Sequence, residues 1–373
     1  MIKGLRRFWR HITDGMALSQ LWSQFHADAR FSYRLYSQEI NSHRMPGTGR
    51  IRHLIRMIRL FLWAVFEKLT PARRVILLIA LILLIPNVQV VEMGDNRYVT
   101  AFWQGSAFWS GILLFVLLVL EIADRVVMKR DLQIAKEIQA WLLPPGPPQV
   151  PGLEIAFATR PANTVAGDYY DVFPRPATHS SAGTYLIAIA DVAGKSIPAA
   201  MLMATYQASL KTLAGISDSL TDLAGRMNNY ACSNSQNGRR FTTTFIAEYD
   251  PATRGMVYVN AGHNQPILRR QSGALERLTV GGIPLGIQEN TPYESGSTTL
   301  QSGDWLAIFT DGVTEAENIH QEEYGEVRFM VLLFANQNET PQELLNTILT
   351  DIEHFVGNTP QHDDITLMLL KVV

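Results

Sequence analysis

Apolar and polar positions follow three different rhythms along the chain. Residues 75–91 (VILLIALILLIPNVQVV) are almost wholly apolar, and residues 107–123 (AFWSGILLFVLLVLEIA) repeat the pattern. With their flanks, both runs reach the roughly 20 residues that a bilayer crossing needs, so the pattern predicts a two-helix transmembrane hairpin over 75–123. Pro86 would kink the first helix, and Trp103 and Trp109 fall where an interfacial aromatic belt would lie. From residue 126 to 143 the spacing of Val127, Ile134, Ile138 and Trp141 predicts a helix, which PPGPPQVPG (144–152) then breaks. That helix suits a signalling stalk, the seam of a homodimer, or a spacer. From Leu153 onward the pattern changes to short apolar strands, helices and Gly-rich turns, the rhythm of a mixed α+β domain. Four regions result: a basic N-terminal region (1–74), the hairpin (75–123), a linker helix (124–152) and a catalytic-sized domain (153–373).

Charge refines this picture at the membrane. Arg73 and Arg74 precede the first span and Arg125, Lys129 and Arg130 follow the second, whereas the connecting loop holds one Arg and two acids. The positive-inside rule then puts both chain ends in the cytoplasm of a multi-pass membrane protein. Residues 1–74 carry 14 Lys and Arg against 4 Asp and Glu, which points to an acidic partner surface. Within them, residues 50–69 interleave Arg with Ile, Leu and Phe. They suit a basic amphipathic helix on inner-membrane lipid, or a helix packed on a partner subunit. The whole chain of 373 residues has a formal charge of only -2, so nucleic acid is not an expected partner. Cys232 is the single cysteine and cannot form an internal disulfide; a buried, inert thiol is the expectation.

The chemistry lies in a set of aspartates. The apolar runs LIAIA (186–190) and WLAIFT (305–310) end in Asp191 and Asp311, and Gly312 follows the latter. Asp363 and Asp364 stand just before ITLMLLKVV, and Asp168 follows Gly167 in the turn AGDYYD. Strand ends hold carboxylates rigidly while leaving their heads open to a cleft. Several ionised carboxylates meeting at one point repel unless a cation neutralises them. Oxygen-only ligands favour hard cations, Mg2+ or Mn2+, over Zn2+. Each Asp alone would pass for a turn former or a helix cap; the set points to metal. Lys195, in the turn DVAGKS, suits either a phosphate contact or a solvated position.

The ordered motifs LQIAKEIQAWLLP, RPANTVAGDYYD, IADVAGKSIPAAMLMA, FTTTFIAEYD, NAGHNQP, GGIPLG, FTDGVTEAEN and HDDITLMLL carry a resemblance. Together they resemble the bacterial branch of the metal-dependent protein phosphatases (PPM), and within it the sporulation and stress-response sigma-factor regulators. The resemblance covers about residues 132–373 and leaves 1–130 uncovered. It implies an αββα four-layer sandwich with two metal ions at one edge of the sheets. Carried over by position, Asp191 would bridge the ions, the Val192 carbonyl would bind the first, and Asp311 and Asp363 the second. Asp168 would orient the attacking water, and Asp364 is a less direct ligand candidate. A water activated by the two ions would hydrolyse phosphoserine or phosphothreonine on a cytoplasmic protein, an anti-sigma-factor antagonist. Eukaryotic relatives place a His where this chain has Ala193, and a phosphate-holding Arg where it has Asn163; Arg160 is the nearby substitute. His263 and Asn264 suit a structural loop or a substrate contact. The competing reading is a PPM-fold scaffold that binds a signalling partner without turnover; a channel role for the hairpin is disfavoured because no charge precedes Glu121 within the spans.

Overall fold

The computed structural model describes residues 63, 66–67, 69–85, 87–93, 96–102, 105–176, 183–234, 240–335 and 339–373. Most of the basic region, and most of the helix expected over 50–69, lie outside the described residues. The chain divides into two compact units, residues 1–125 and 126–373.

In the first unit, helix α1 (Pro71–Leu83) begins with proline near its start, where a missing N–H costs nothing. Strands β1 (Asn87–Met93) and β2 (Asn96–Phe102) follow as an antiparallel hairpin with Val90 opposite Val99. Helix α2 (Ser106–Leu142) then runs on beyond the unit's last residue. The Ser110 hydroxyl donates to the Ala80 carbonyl at 2.7 Å, and Arg73 donates to Asp124 at 2.6 Å.

This architecture corrects the transmembrane hairpin. The run expected to be one span is split. Its helix ends at Leu83, just short of Pro86, and the rest pairs as β1. Thirteen helical residues reach about 20 Å, against a hydrocarbon core of roughly 30 Å. In α2 the stretch without charge runs only over 106–120, about 22 Å, before Glu121, Asp124 and Arg125. Among the described residues, no helix is long and apolar enough to cross a membrane. The multi-pass placement in a bacterial membrane and the orientation derived from it fall with the hairpin. Apolar composition alone had suggested a span where β-branched Val88, Val90 and Val91 instead favour strand pairing.

The second unit begins with β3 (Leu153–Arg160), β4 (Tyr169–Pro174) and β5 (Tyr185–Val192). Helices α3 (Ser196–Leu213) and α4 (Leu220–Ser233) follow. Then come β6 (Thr242–Asp250), β7 (Gly255–Ala261), β8 (Ile267–Arg269), β9 (Leu275–Arg277), β10 (Gly281–Gly282), β11 (Gly296–Thr299) and β12 (Trp305–Phe309). A single turn α5 (Asp311–Thr314), helices α6 (Glu326–Ala335) and α7 (Pro341–Val356), and β13 (Ile365–Val372) complete it. One sheet has the order β10-β7-β6-β5-β4, with β11 also on β7; the other is β3-β13-β12-β8-β9.

Strand alternation explains the layers, because successive side chains point to opposite faces. In β5, Ile187 and Ile189 join Leu306, Ile308, Met368 and Leu370 of the other sheet in a core between the sheets. Leu186, Ala188 and Ala190 instead meet Met203, Tyr206 and Leu210 of α3. Trp305, Ala307 and Phe309 of β12 meet Phe329 and Leu333 of α6 and Leu345 and Ile348 of α7. The result is helix, sheet, sheet, helix: the α+β αββα sandwich that the resemblance implied.

Candidate functional site

At one end of the sandwich the inner face changes from apolar to acidic. Asp191 has the same strand parity as Ile187 and Ile189, and Asp364 and Thr366 that of Met368 and Leu370. The inward rows of β5 and β13 therefore end in carboxylates and a hydroxyl, where the two sheets open. Asp168 stands just before β4, and Thr310 and Asp311 just after β12.

The acids face one another closely enough to oppose each other's ionisation. Asp168 is buried and accepts from the Thr310 hydroxyl at 3.0 Å. Burial first, and then the charge of Asp191, push its carboxyl well above the usual carboxylate range. Asp191 is pushed up to about 7, by burial and then by Asp311, Asp363 and Asp364. Asp311 is raised by burial and then by Asp363, although the Gly312 N–H favours its charge. Glu315 is raised too, by burial and then by Asp311.

Asp364 has a different employment. Its Oδ1 accepts from the Ala162 N–H at 2.7 Å and its Oδ2 from the Gly167 N–H at 2.6 Å. It thereby clasps the loop that carries Asp168. Burial still raises its carboxyl, against the pull of these bonds. Replacing Asp364 by Ala strands two amide donors; denaturant unfolding of the variant should show a loss of about 1–3 kcal/mol.

The other expected residues are placed as follows. The Val192 carbonyl lies against Gly167, 3.2 Å from where a β-carbon there would sit. Lys195 stands 3.2 Å from Asp363 Oδ2 and donates to the His362 carbonyl, so its ammonium lies beside the acid group while its side chain stays exposed. Lys195, Glu315, Glu317, Glu323, His362 and Asp363 line a cleft of about 200 Å3. The Arg160 guanidinium is taken by α7: it pairs with Glu353 at 2.6 Å and lies 3.4 Å from the Leu349 carbonyl. His263 is buried, its Nδ1 3.1 Å from the Thr243 hydroxyl, and burial lowers its pKa to about 3, which keeps it neutral. Asn264 is half-buried in the turn after β7.

The chemistry of this donor set suits a hard divalent cation. It is all oxygen, it gathers several carboxylates in one place, and burial first and then neighbouring charge raise Asp191 and Asp311. Among the described residues, however, no three acid, His or Cys side chains stand as a group that could hold an ion as they are placed. Seating one would require the carboxylates to turn toward each other, with Lys195 released from Asp363. Sequence reasoning missed Thr310 and Thr366. Their signal was their parity, since each falls on the inward row directly beside an aspartate.

Comparison with known proteins agrees with the fold. The sequence model of the family described as Stage II sporulation protein E (SpoIIE) matches residues 181–373. Protein IcfG of Synechocystis sp. is 29% identical over 306 residues, which cover 74% of this chain and 47% of that protein. Phosphoserine phosphatase RsbU of Bacillus subtilis is 29% identical over 247 residues, 65% of this chain and 70% of that one. Among solved structures, the SiaA-PP2C domain of Pseudomonas aeruginosa superposes with a TM-score of 0.56 at 19% identity, over 67% of this chain and 99% of that chain. The chain thus spans about half the length of IcfG and has the fold of a PP2C domain.

Proposed function

The chain belongs to the stage II sporulation protein E (SpoIIE) family, and on that premise we propose that it is a metal-dependent protein serine/threonine phosphatase. The observation that carries this reading is the gathering of Asp168, Asp191 and Asp311, each raised by burial and then by a neighbouring carboxylate, beside Asp363 at the open end of the sandwich. Two Mn2+ or Mg2+ ions bound there would supply the acidity and the electrophilic pull that phosphomonoester hydrolysis needs. Asp191, on the rigid end of β5, and Asp311 and Asp363 from the opposite sheet would hold them, with the Val192 carbonyl as a neutral donor. Asp168, fixed by Thr310, would orient the attacking water by accepting its hydrogen bond. Asp364 keeps the Asp168 loop in register. Lys195, exposed beside Asp363, would meet the substrate phosphate once the acids turn to the cations.

The substrate we propose is a phosphoserine or phosphothreonine on a regulatory protein of the anti-sigma-factor antagonist class, a reading supported by family membership and by the likeness to a phosphoserine phosphatase. The row of exposed Val127, Ile134, Ile138 and Trp141 on α2 supports pairing with a second copy.

The competing scaffold reading rests on the ion pair of Lys195 with Asp363 at 3.2 Å, which offsets part of the acidic charge at the site. Full-length protein assayed on an aryl phosphate with Mn2+ separates the two. A phosphatase turns over with Mn2+ and loses this on Asp311→Ala; a scaffold gives equal, background rates for both proteins.

A further inference from the structure

We propose that Gln139, near the end of α2, is a positioning residue that sets Asp168 by clasping the backbone of the loop before it. The proposal rests on the phosphatase reading for its kinetic consequence, but not for its structural one.

Gln139 is buried, in a helix whose neighbouring Ile138 and Trp141 are exposed. Its Nε2 donates to the Ala166 carbonyl at 2.7 Å, and its Oε1 accepts from the Ala166 N–H at 2.9 Å. Both backbone groups of one residue are thus bound by one side-chain amide, the pairing that a neighbouring strand would provide. Anchoring the helix does not require it, since Leu143 already packs against both cores of the sandwich. An apolar side chain at 139 would fill the same space. What only an amide can do here is fix the Ala166 peptide groups.

That residue is where leverage on the site is greatest. The next residue, Gly167, gives its N–H to Asp364, and the one after is Asp168, which takes the Thr310 hydroxyl. Residues 162–168 are therefore held from inside the sandwich by Asp364 and Thr310, and from outside it by Gln139. Ala166 is itself buried, so removing the clasp leaves a donor and an acceptor without water to replace it. The loop then relaxes, and the Asp168 carboxylate loses its fixed direction. Partners that orient a metal site's residues from behind typically matter by about 10–100-fold in activity or metal affinity.

The test uses the full chain and two substitutions, Gln139→Met, which keeps the packing, and Gln139→Ala. Amide hydrogen exchange of residues 162–168 should be faster in both, with exchange in the β5–β6 core unchanged. On an aryl phosphate, kcat should fall about 10–100-fold with KM nearly constant. Gln133→Ala, an exposed substitution on the same helix, should change neither. Exchange at 162–168 equal to wild type would overturn the proposal. So would a loss of kcat that merely follows a fall in Tm and disappears at lower temperature. If the wild-type chain shows no Mn2+-dependent turnover, the phosphatase reading fails, and the exchange comparison still decides the clasp.

Discussion

Asp191→Asn is expected to cut Mn2+-dependent hydrolysis roughly a hundred- to a thousand-fold, while making the metal-free chain harder to unfold at alkaline pH. Both effects come from one cause. Asp191 stands at the end of β5 where burial and three other aspartates oppose its charge, and its carboxyl is pushed up to about 7. A cation relieves that opposition, which is why the residue is useful. Without one, the folded chain holds a proton on Asp191 that the unfolded chain has already released between pH ~4 and ~7. Protons bound preferentially by the folded state mean stability that falls as pH rises through that window. Asn carries no charge and removes the slope. Thermal unfolding in a chelator should therefore show the variant above wild type at about pH 8, with the gap narrowing as pH falls and closing by about pH 4. A variant less stable at both values would show that Asp191 is a structural residue. Such trading of stability against activity is common where function requires like charges to be held together.

Gly312→Ala is expected to abolish activity and to destabilise the chain by about 3 kcal/mol or more. A β-carbon on Gly312 would lie 2.1 Å from the Asp364 carbonyl oxygen and 2.8 Å from its carbon. These are backbone atoms at the entrance to β13, held by the β12–β13 ladder, so no side chain can swing aside. Relief requires the Asp311 turn to move away from Asp363 and Asp364, which separates the acids that the site depends on. Gly225→Ala is the matching control. It lies inside α4 with open space around it, and alanine there should stabilise by about 0.5–1 kcal/mol. Chemical denaturation of the two variants should shift the midpoint in opposite directions; a shift of the same sign in both would contradict the packing argument.

Much of the sandwich could be read from alternation. Strands such as LIAIA and WLAIF are apolar on both faces because each lies between a helical layer and the opposite sheet. The capping box of Thr340 and Glu343, behind which α7 starts, is equally visible as T-P-Q-E. The layer order itself came from resemblance, since period alone does not say which strands pair. What stayed hidden was long-range. Arg160 is close in sequence to the Asp168 loop, yet its guanidinium is engaged by Glu353, 193 positions later. Asp364, the less direct ligand candidate beside Asp363, accepts hydrogen bonds from the distant amides of residues 162 and 167. Gln139 gave no signal, because a polar residue in a helix is ordinarily solvated. The 75–91 run misled for a local reason: apolar content outweighed Pro86 and the three valines that follow it, which end the helix and begin a hairpin.

The central claim is that carboxylates from both sheets take up divalent cations together. Anomalous diffraction from crystals of the chain grown with Mn2+ tests it most directly. Manganese peaks should lie between Asp191, Asp311 and Asp363, with the Lys195 ammonium withdrawn from Asp363. Saturating Mn2+ with no peak there, and Lys195 still paired to Asp363, would contradict the account.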